Sequence, residues 1–108
     1  MKRAIWICYD LGVRGNYDGL YTWLDEHEAQ DCGSNLAFLR YEDQGSLVKT
    51  ITAELQQLFH DSRHARIYLI HRDDKTKKVK GSFIIGGRKA PPWSGYAARP
   101  SPPDEGDS

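Results

Sequence analysis

Cysteine and long apolar runs are scarce in this chain. Its 108 residues include two cysteines, Cys8 and Cys32, which are too few for a disulfide framework. Cys8 lies in an apolar segment, so we expect a small buried side chain in a reducing compartment. No apolar run approaches the roughly 20 residues of a membrane helix, and the apolar segment after Met1 is too short for a signal peptide. The sequence therefore predicts a soluble, cytoplasmic protein of one domain.

Motifs of metal binding and covalent catalysis are also missing. The sequence offers no Ser-His-Asp or Cys-His arrangement that would activate a nucleophile. His60 and His64 are four residues apart, but no cysteine or second histidine pair has the spacing of a zinc site. The glycines of the segment 12–19 match neither the dinucleotide fingerprint nor the P-loop. We interpret that segment as a flexible turn, with phosphate binding by its backbone as the weaker alternative.

Charge of one sign does not dominate, because 15 basic residues balance 15 acidic ones. The balance is uneven along the chain, and residues 71–89 form a basic block. Its members are Arg72, Lys75, Lys77, Lys78, Lys80, Arg88 and Lys89, against Asp73 and Asp74. These side chains predict contacts with the phosphates of RNA or DNA. Equally, lysines at a hairpin tip prevent edge-to-edge strand pairing, and both interpretations stay open.

Apolar periodicity predicts the order of elements. We expect a first strand that ends at Asp10, a helix from Tyr17 to about Ala29, and a helix that follows Ser46. Further strands are expected over 35–42, 65–71 and 82–85, with a charged hairpin tip over 73–80. Asn16 or Asp18 can cap the first helix, and Ser46 the second. Residues 97–108, which are rich in proline, serine, glycine and acid, should form a disordered tail.

Two architectures fit this order. If the stretch from Cys32 to Tyr41 is a short strand, a kink and a longer strand, the chain is an α+β domain with ferredoxin-like βαββαβ order and an extra C-terminal strand. Both helices then lie on one face of the sheet. The alternative is a small α/β sheet of parallel strands, a flavodoxin-like half with order βαβαββ. The first strand is apolar on both faces, which predicts burial on both sides, although a second subunit could also cover one of them.

The carboxylate that ends the first strand is the strongest single candidate for chemistry. Asp10 follows Tyr9 at the edge where open sheets tend to place their sites. It could hold Mg²⁺ or Mn²⁺, since hard cations prefer oxygen ligands and keep several waters. It could equally accept backbone N–H bonds from Gly12 or Val13 and shape the turn. A lone aspartate does not make a metal site.

Several segments together resemble a known family. They are a first strand that ends Tyr9-Asp10-Leu11, the strand segment 34–42 followed by Ile-Thr-Ala-Glu-Leu at 51–55, and the strand segment 66–72. The chain is similar to small CRISPR-associated ferredoxin-fold proteins that partner the spacer integrase, and to related virulence-associated and toxin–antitoxin endoribonucleases. The resemblance implies a homodimer in which two copies of Asp10 face each other, hold a divalent metal and cleave RNA. Arg14 is the one basic residue here that matches the family's basic run after the aspartate.

The segment 91–96 predicts a further contact surface. Its prolines lower the cost of ordering an extended arm that carries Trp93 and Tyr96. The arm could lie on a second subunit or another protein, or could pack on its own sheet. We expect residues 90–96 to be ordered and Tyr9, Trp93 and Tyr96 to contact a partner.

Two functions follow from these residues. The first is a dimeric domain that binds RNA or DNA and could cleave RNA with a metal at Asp10. The second is a non-catalytic interaction module, such as an antitoxin-like accessory subunit, that works through its sheet and its arm.

Overall fold

The computed structural model describes residues 1–60 and 62–97. The elements in chain order are β1 (Lys2–Asp10), α1 (Tyr17–Glu26), β2 (Gln30–Asp31), β3 (Leu36–Glu42), α2 (Leu47–Phe59), β4 (Arg66–Arg72) and β5 (Val79–Ile85). Neither helix of this part of the chain is long and apolar enough to cross a membrane. Most of the tail that was expected to be disordered lies outside the described residues.

The strands form one mixed α+β domain with a five-stranded sheet of order β2-β3-β1-β4-β5. Every pair of neighbours is antiparallel. The alternative of a small parallel sheet is therefore wrong. The short strand β2 and a turn precede β3, so the chain reverses there without a helix, and a direct reversal of this kind produces antiparallel pairing.

Local signals account for most element boundaries. The side chain of Asn16 caps α1, because its Oδ1 accepts a hydrogen bond from the amide of Gly19 at 2.9 Å. The helix ends at Glu26, before the expected Ala29, since Glu28 adopts a left-handed φ of 55° and the Ala29 amide bonds back to the Leu24 carbonyl. Ser46 occupies the N-cap position of α2 but makes no side-chain capping bond.

Burial alternates along the central strand β1. Ile5, Ile7 and Tyr9 are buried on the face that packs against both helices. Trp6 and Cys8 point to the opposite face and are exposed. The expectations that β1 is buried on both faces and that Cys8 is buried are therefore wrong. The reason is that both helices pack on the same side of the sheet, so only every second side chain of β1 is covered.

A hydrogen-bonded group of three side chains, which we call the polar tie, links the two helices to β3. The Glu54 carboxylate of α2 accepts hydrogen bonds from Trp23 Nε1 of α1 at 2.9 Å and from the Tyr41 hydroxyl of β3 at 2.6 Å. Burial and the bond to Glu54 raise the pKa of Tyr41. The tie fixes the two helices on one face, which leaves the other face of the sheet uncovered.

Candidate nucleic-acid interface

The face of the sheet that points away from the helices carries side chains from all five strands, and we call it the open face. Its members, by strand register, are Lys2, Ala4, Trp6, Cys8 and Asp10 of β1, Gln30 of β2, Leu36, Phe38, Arg40 and Glu42 of β3, Arg66, Tyr68, Ile70 and Arg72 of β4, and Val79, Gly81 and Phe83 of β5. The centre is apolar and aromatic, and charged side chains occupy the margins. This composition differs from the mixed polar surface that an exposed sheet normally presents to water.

Four aromatic rings lie on the open face in two pairs. Trp6 and Phe38 are cross-strand partners whose ring centroids are 5.2 Å apart, at an angle of 51°. Tyr68 and Phe83 pair between β4 and β5, with centroids 4.9 Å apart and an edge-to-face angle of 75°. Trp6 keeps 36% of its surface exposed. Rings that are held by such contacts but remain accessible are suited to stacking on planar ligands.

Arginine guanidinium groups lie over three of these rings. Arg40 Cζ is 5.6 Å from the centroid of Phe38, and Arg66 Cζ is 5.9 Å from that of Phe83. Arg88 lies beyond β5, with its Cζ 5.4 Å from the Phe83 centroid and 5.9 Å from that of Tyr68. Cation–π contacts hold each guanidinium at the margin of the aromatic surface. The open face therefore combines planar rings with fixed positive charge.

Gly81 provides the space that the Tyr68 ring occupies. A Cβ at this position would lie 2.5 Å from Tyr68 Cε2 and 2.5 Å from its hydroxyl oxygen. The ring therefore lies across the backbone of β5 at a point where any side chain would displace it. The absence of a side chain at Gly81 therefore determines where the Tyr68 ring lies.

Asp10 is held by an ion pair at the margin of the open face. Its Oδ2 lies 2.9 Å from Nη2 of Arg66, its cross-strand partner. The hydrogen bond from Arg66 lowers the pKa of the Asp10 carboxyl, and a backbone bond from Gly12 adds to the effect. The bond from Gly12 agrees with the turn interpretation of Asp10, and the salt bridge to Arg66 is a contact that the sequence did not predict.

The donors around Asp10 do not fit a divalent cation within one chain. No group of three or more histidine, cysteine, aspartate or glutamate side chains in residues 1–60 and 62–97 could hold a metal ion. A guanidinium 2.9 Å from the carboxylate also competes with any cation for the same oxygen. The Mg²⁺ or Mn²⁺ site and the catalytic role of Asp10 stay predictions that depend on a second copy of the chain.

The basic block divides between two places. Lys75, Lys77 and Lys78 are exposed at the tip of the β4–β5 hairpin. Within that tip Asp73 accepts bonds from the Thr76 amide and hydroxyl, which lower the pKa of Asp73 to about 2, and Lys80 Nζ lies 3.7 Å from its carboxylate. The anion at the centre of the tip reduces the positive field of the lysines.

The remaining members of the basic block lie nearer the open face. Arg72 belongs to the open face at the end of β4, although its Nε also donates to the Lys77 carbonyl at 3.3 Å. Arg88 contacts the aromatic rings, and Lys89 contributes to lowering the pKa of Asp10. Arg14 lies apart from all of these, in the loop after β1.

The three predicted partner-contact residues differ in accessibility. Tyr9 is 8% exposed beneath α1, and burial raises its pKa to about 12, so it has little surface to offer a partner. Trp93 and Tyr96 are 71% and 65% exposed, in turns closed by a bond from the Tyr96 amide to the Trp93 carbonyl. Their contact with a partner stays a prediction.

Sequence reasoning missed the central residues of the open face. Trp6, Phe38 and Phe83 were not predicted as site residues, because aromatic residues in strands are usually buried. The available signal was the alternation in the third strand, where Phe38 and Arg40 share one face and Leu39 and Tyr41 the other. An arginine on the same face as an aromatic ring indicates a surface that meets water.

No family model, curated protein or solved structure matches this chain.

Proposed function

We propose that this protein binds single-stranded nucleic acid on its open face. The observation that supports the proposal most directly is the presence of four aromatic rings with arginines over three of them. Unpaired bases stack on such rings whatever their sequence, and arginines neutralise the phosphates that follow the bases. A duplex offers no exposed base faces to the same surface.

The positions of the rings suit consecutive bases of one strand. Trp6 and Phe38 share one row across the sheet, and Tyr68 and Phe83 lie in the next row on the neighbouring strands. Neighbouring strands are about 4.8 Å apart, so the two pairs offer separate stacking positions along a diagonal of the sheet. By analogy, the RNA recognition motif also stacks bases on aromatic side chains of an open sheet.

We also infer that the first four strands adopt the ferredoxin-like arrangement, with β5 added at the margin. The supporting observations are the order β2-β3-β1-β4 and the burial of both helices on one face. This arrangement exposes the two central strands, which carry Trp6 and Phe38, at the middle of the open face.

Binding is tested by fluorescence anisotropy with short labelled RNA and DNA single strands and the matching duplexes. We expect the single strands to bind more tightly than the duplexes. Trp6→Ala and Phe38→Ala should each weaken single-strand binding by about 1–3 kcal/mol, the typical loss per stacked base. Tyr21→Ala is the matched control, since Tyr21 is 50% exposed on α1 and lies away from the open face. Equal affinity of wild type and Trp6→Ala would contradict the proposal.

The arginines are tested by salt dependence. Arg40→Gln and Arg88→Gln should each reduce the slope of log affinity against log salt by roughly 0.7, the value per phosphate contact on single strands. A second copy of the chain is the competing occupant of the open face. A dimeric mass that becomes monomeric in Trp6→Ala, without nucleic-acid binding, would identify that occupant instead.

RNA cleavage is a separate prediction that binding does not require. If Asp10 is catalytic, Asp10→Asn should abolish Mg²⁺-dependent nuclease activity while binding of single strands persists. Cleavage that survives the substitution would remove Asp10 from the mechanism.

A second candidate function is protein interaction through the arm. The high exposure of Trp93 and Tyr96 favours it, because large apolar side chains exposed together often mark a binding surface. A protein partner that is lost with Trp93→Ala but retained with Trp6→Ala would favour this function over nucleic-acid binding.

A further inference from the structure

A cleft of about 860 Å³ lies between the loop after β1 and the connection after α2. Its charged and titratable lining residues are Arg14 from the first segment and His60, Arg63 and His64 from the second. Among the described residues that line it there is no carboxylate. We call this feature the basic cleft.

The positive lining distinguishes this cleft from the pocket that adjoins it beside α1, although Arg63 and His60 also line a smaller pocket of about 370 Å³. A neighbouring pocket of about 460 Å³, which shares Gln57 and Leu58 with it, is lined by Asp18, Glu26 and Glu54. The two pockets adjoin the same stretch of α2, and their described lining residues carry charge of opposite sign. A ligand that enters one of them is therefore selected by its sign.

A hydrogen bond connects the two segments that form the walls of the basic cleft. Asn16 Nδ2 donates to the Leu58 carbonyl at 3.1 Å, while its Oδ1 accepts from the Gly19 amide. A Cβ on Gly12 would be 3.7 Å from His64 Cβ, so the loop and the connection are also in close proximity there. These contacts fix the distance between the segments that carry the cationic side chains.

The loop itself is held in a tight conformation. Gly12 has a φ of 76°, and its carbonyl accepts a bond from the Tyr17 hydroxyl at 3.0 Å. A Cβ at Gly15 would lie 2.3 Å from Leu11 Cβ and 2.4 Å from the Leu11 oxygen, so only glycine fits. These contacts constrain the backbone on both sides of Arg14, whose side chain is exposed.

We propose that the basic cleft binds the phosphate group of a nucleotide-sized ligand. Guanidinium groups bind phosphate through charge-assisted and often bidentate hydrogen bonds. The volume lies within the range of small-molecule pockets, and Leu11 and Leu58 provide apolar wall for the organic part of the ligand. The inference does not depend on nucleic-acid binding at the open face, since it rests on different residues.

The test is a titration followed by backbone and arginine-side-chain NMR of the full chain. The probes are inorganic phosphate and a nucleoside monophosphate. We expect shifts that concentrate at residues 11–16 and at Arg63. Arg14→Gln and Arg63→Gln should each weaken nucleoside monophosphate binding by about tenfold, the loss expected of a charge-assisted contact. Lys49→Gln removes the same unit charge from an exposed position of α2 and should change the affinity less than about twofold.

A second binding measurement identifies the source of the phosphate. An oligonucleotide with a 5′-phosphate that binds more tightly than its dephosphorylated form, in an Arg14-dependent manner, would assign the cleft to a strand end. Arg14-dependent binding of the monophosphate alone would assign it to a free nucleotide. Both outcomes support a phosphate site.

Two results would overturn the proposal. One is the absence of shifts in the basic cleft at millimolar concentrations of both probes. The other is loss of the phosphate response in Trp6→Ala, which would place the anion on the open face. Since Trp6→Ala tests the open face and Arg14→Gln the cleft, failure of one site is distinguishable from failure of the other.

Discussion

The two faces of the sheet are built from alternate residues of the same strands, yet they differ in chemistry. The helix-packed face is mostly aliphatic, with Ile5, Ile7, Ile67 and Leu69 fully buried. The open face carries aromatic rings and arginines that remain in contact with solvent. Stability depends on the first face, because aliphatic burial supplies most of the folding free energy. The proposed binding of nucleic acid uses the open face, where rings and charges are accessible.

The largest expected effect comes from one residue type placed on opposite faces of β4. Ile67→Ala should destabilise the protein by about 2–5 kcal/mol, since the side chain is fully buried and leaves a cavity. Ile70→Ala, on the open face, should cost less than half as much because water already reaches Ile70. Urea unfolding of both variants measures the difference. If Ile70→Ala lost as much stability as Ile67→Ala, and its loss grew with protein concentration, a second copy of the chain would cover the open face.

An intermediate effect is expected where Tyr68 crosses β5. Gly81→Ala should displace the Tyr68 ring and cost about 0.5–1.5 kcal/mol, the value of an aromatic pair such as Tyr68–Phe83. Gly87→Ala is the matched control, since nothing lies within 4 Å of a Cβ there. Urea unfolding and the NMR shifts of the Tyr68 ring report the two consequences. If the ring keeps its shifts in Gly81→Ala, the described packing of Tyr68 is incorrect.

The smallest effect concerns the ion pair at the margin of the open face. Because Arg66 lowers the pKa of Asp10 in the folded state, the pair stabilises the protein above the unfolded pKa of the carboxyl. That contribution is lost as the pH falls through the lowered folded value. The pair is half exposed, so we expect about 0.2–1 kcal/mol. Asp10→Asn should remove this contribution at neutral pH. In acid, the free energy of unfolding of the variant should equal that of the wild type. A constant difference at every pH would show that the ion pair is not its cause.

Much of the fold could be predicted from local patterns. The strand expected over 35–42 forms over Leu36–Glu42, and the structure shows which side of it is buried, that of Ala37, Leu39 and Tyr41. Of the two caps predicted for the first helix, Asn16 or Asp18, the structure has Asn16, whose side chain bonds an amide three residues ahead and needs no distant partner. The parallel alternative was wrong, since the short strand at Gln30–Asp31 has almost no apolar pattern to reveal the chain reversal.

The candidate site was less accessible to sequence reasoning. Asp10 and Arg66 are cross-strand partners separated by 56 residues, and their pairing follows from the register of β1 and β4. The basic cleft likewise joins the loop after β1 to the end of α2. Both depend on which distant segments of the chain contact each other, and hydrophobic periodicity does not predict those contacts.

Composition and periodicity by themselves determined where the helices and strands form and which side chains of each strand share a face, because those properties depend on neighbours a few residues away. Tertiary structure alone decided that both helices pack on one side of the sheet. That placement left Trp6, Phe38 and Cys8 uncovered, and the path of the chain placed Arg14 and Arg63 in the lining of one cleft. The physical reason is that a strand has two equivalent sides until another layer packs on one of them, and the choice is made by strand pairing and by the path of the connections.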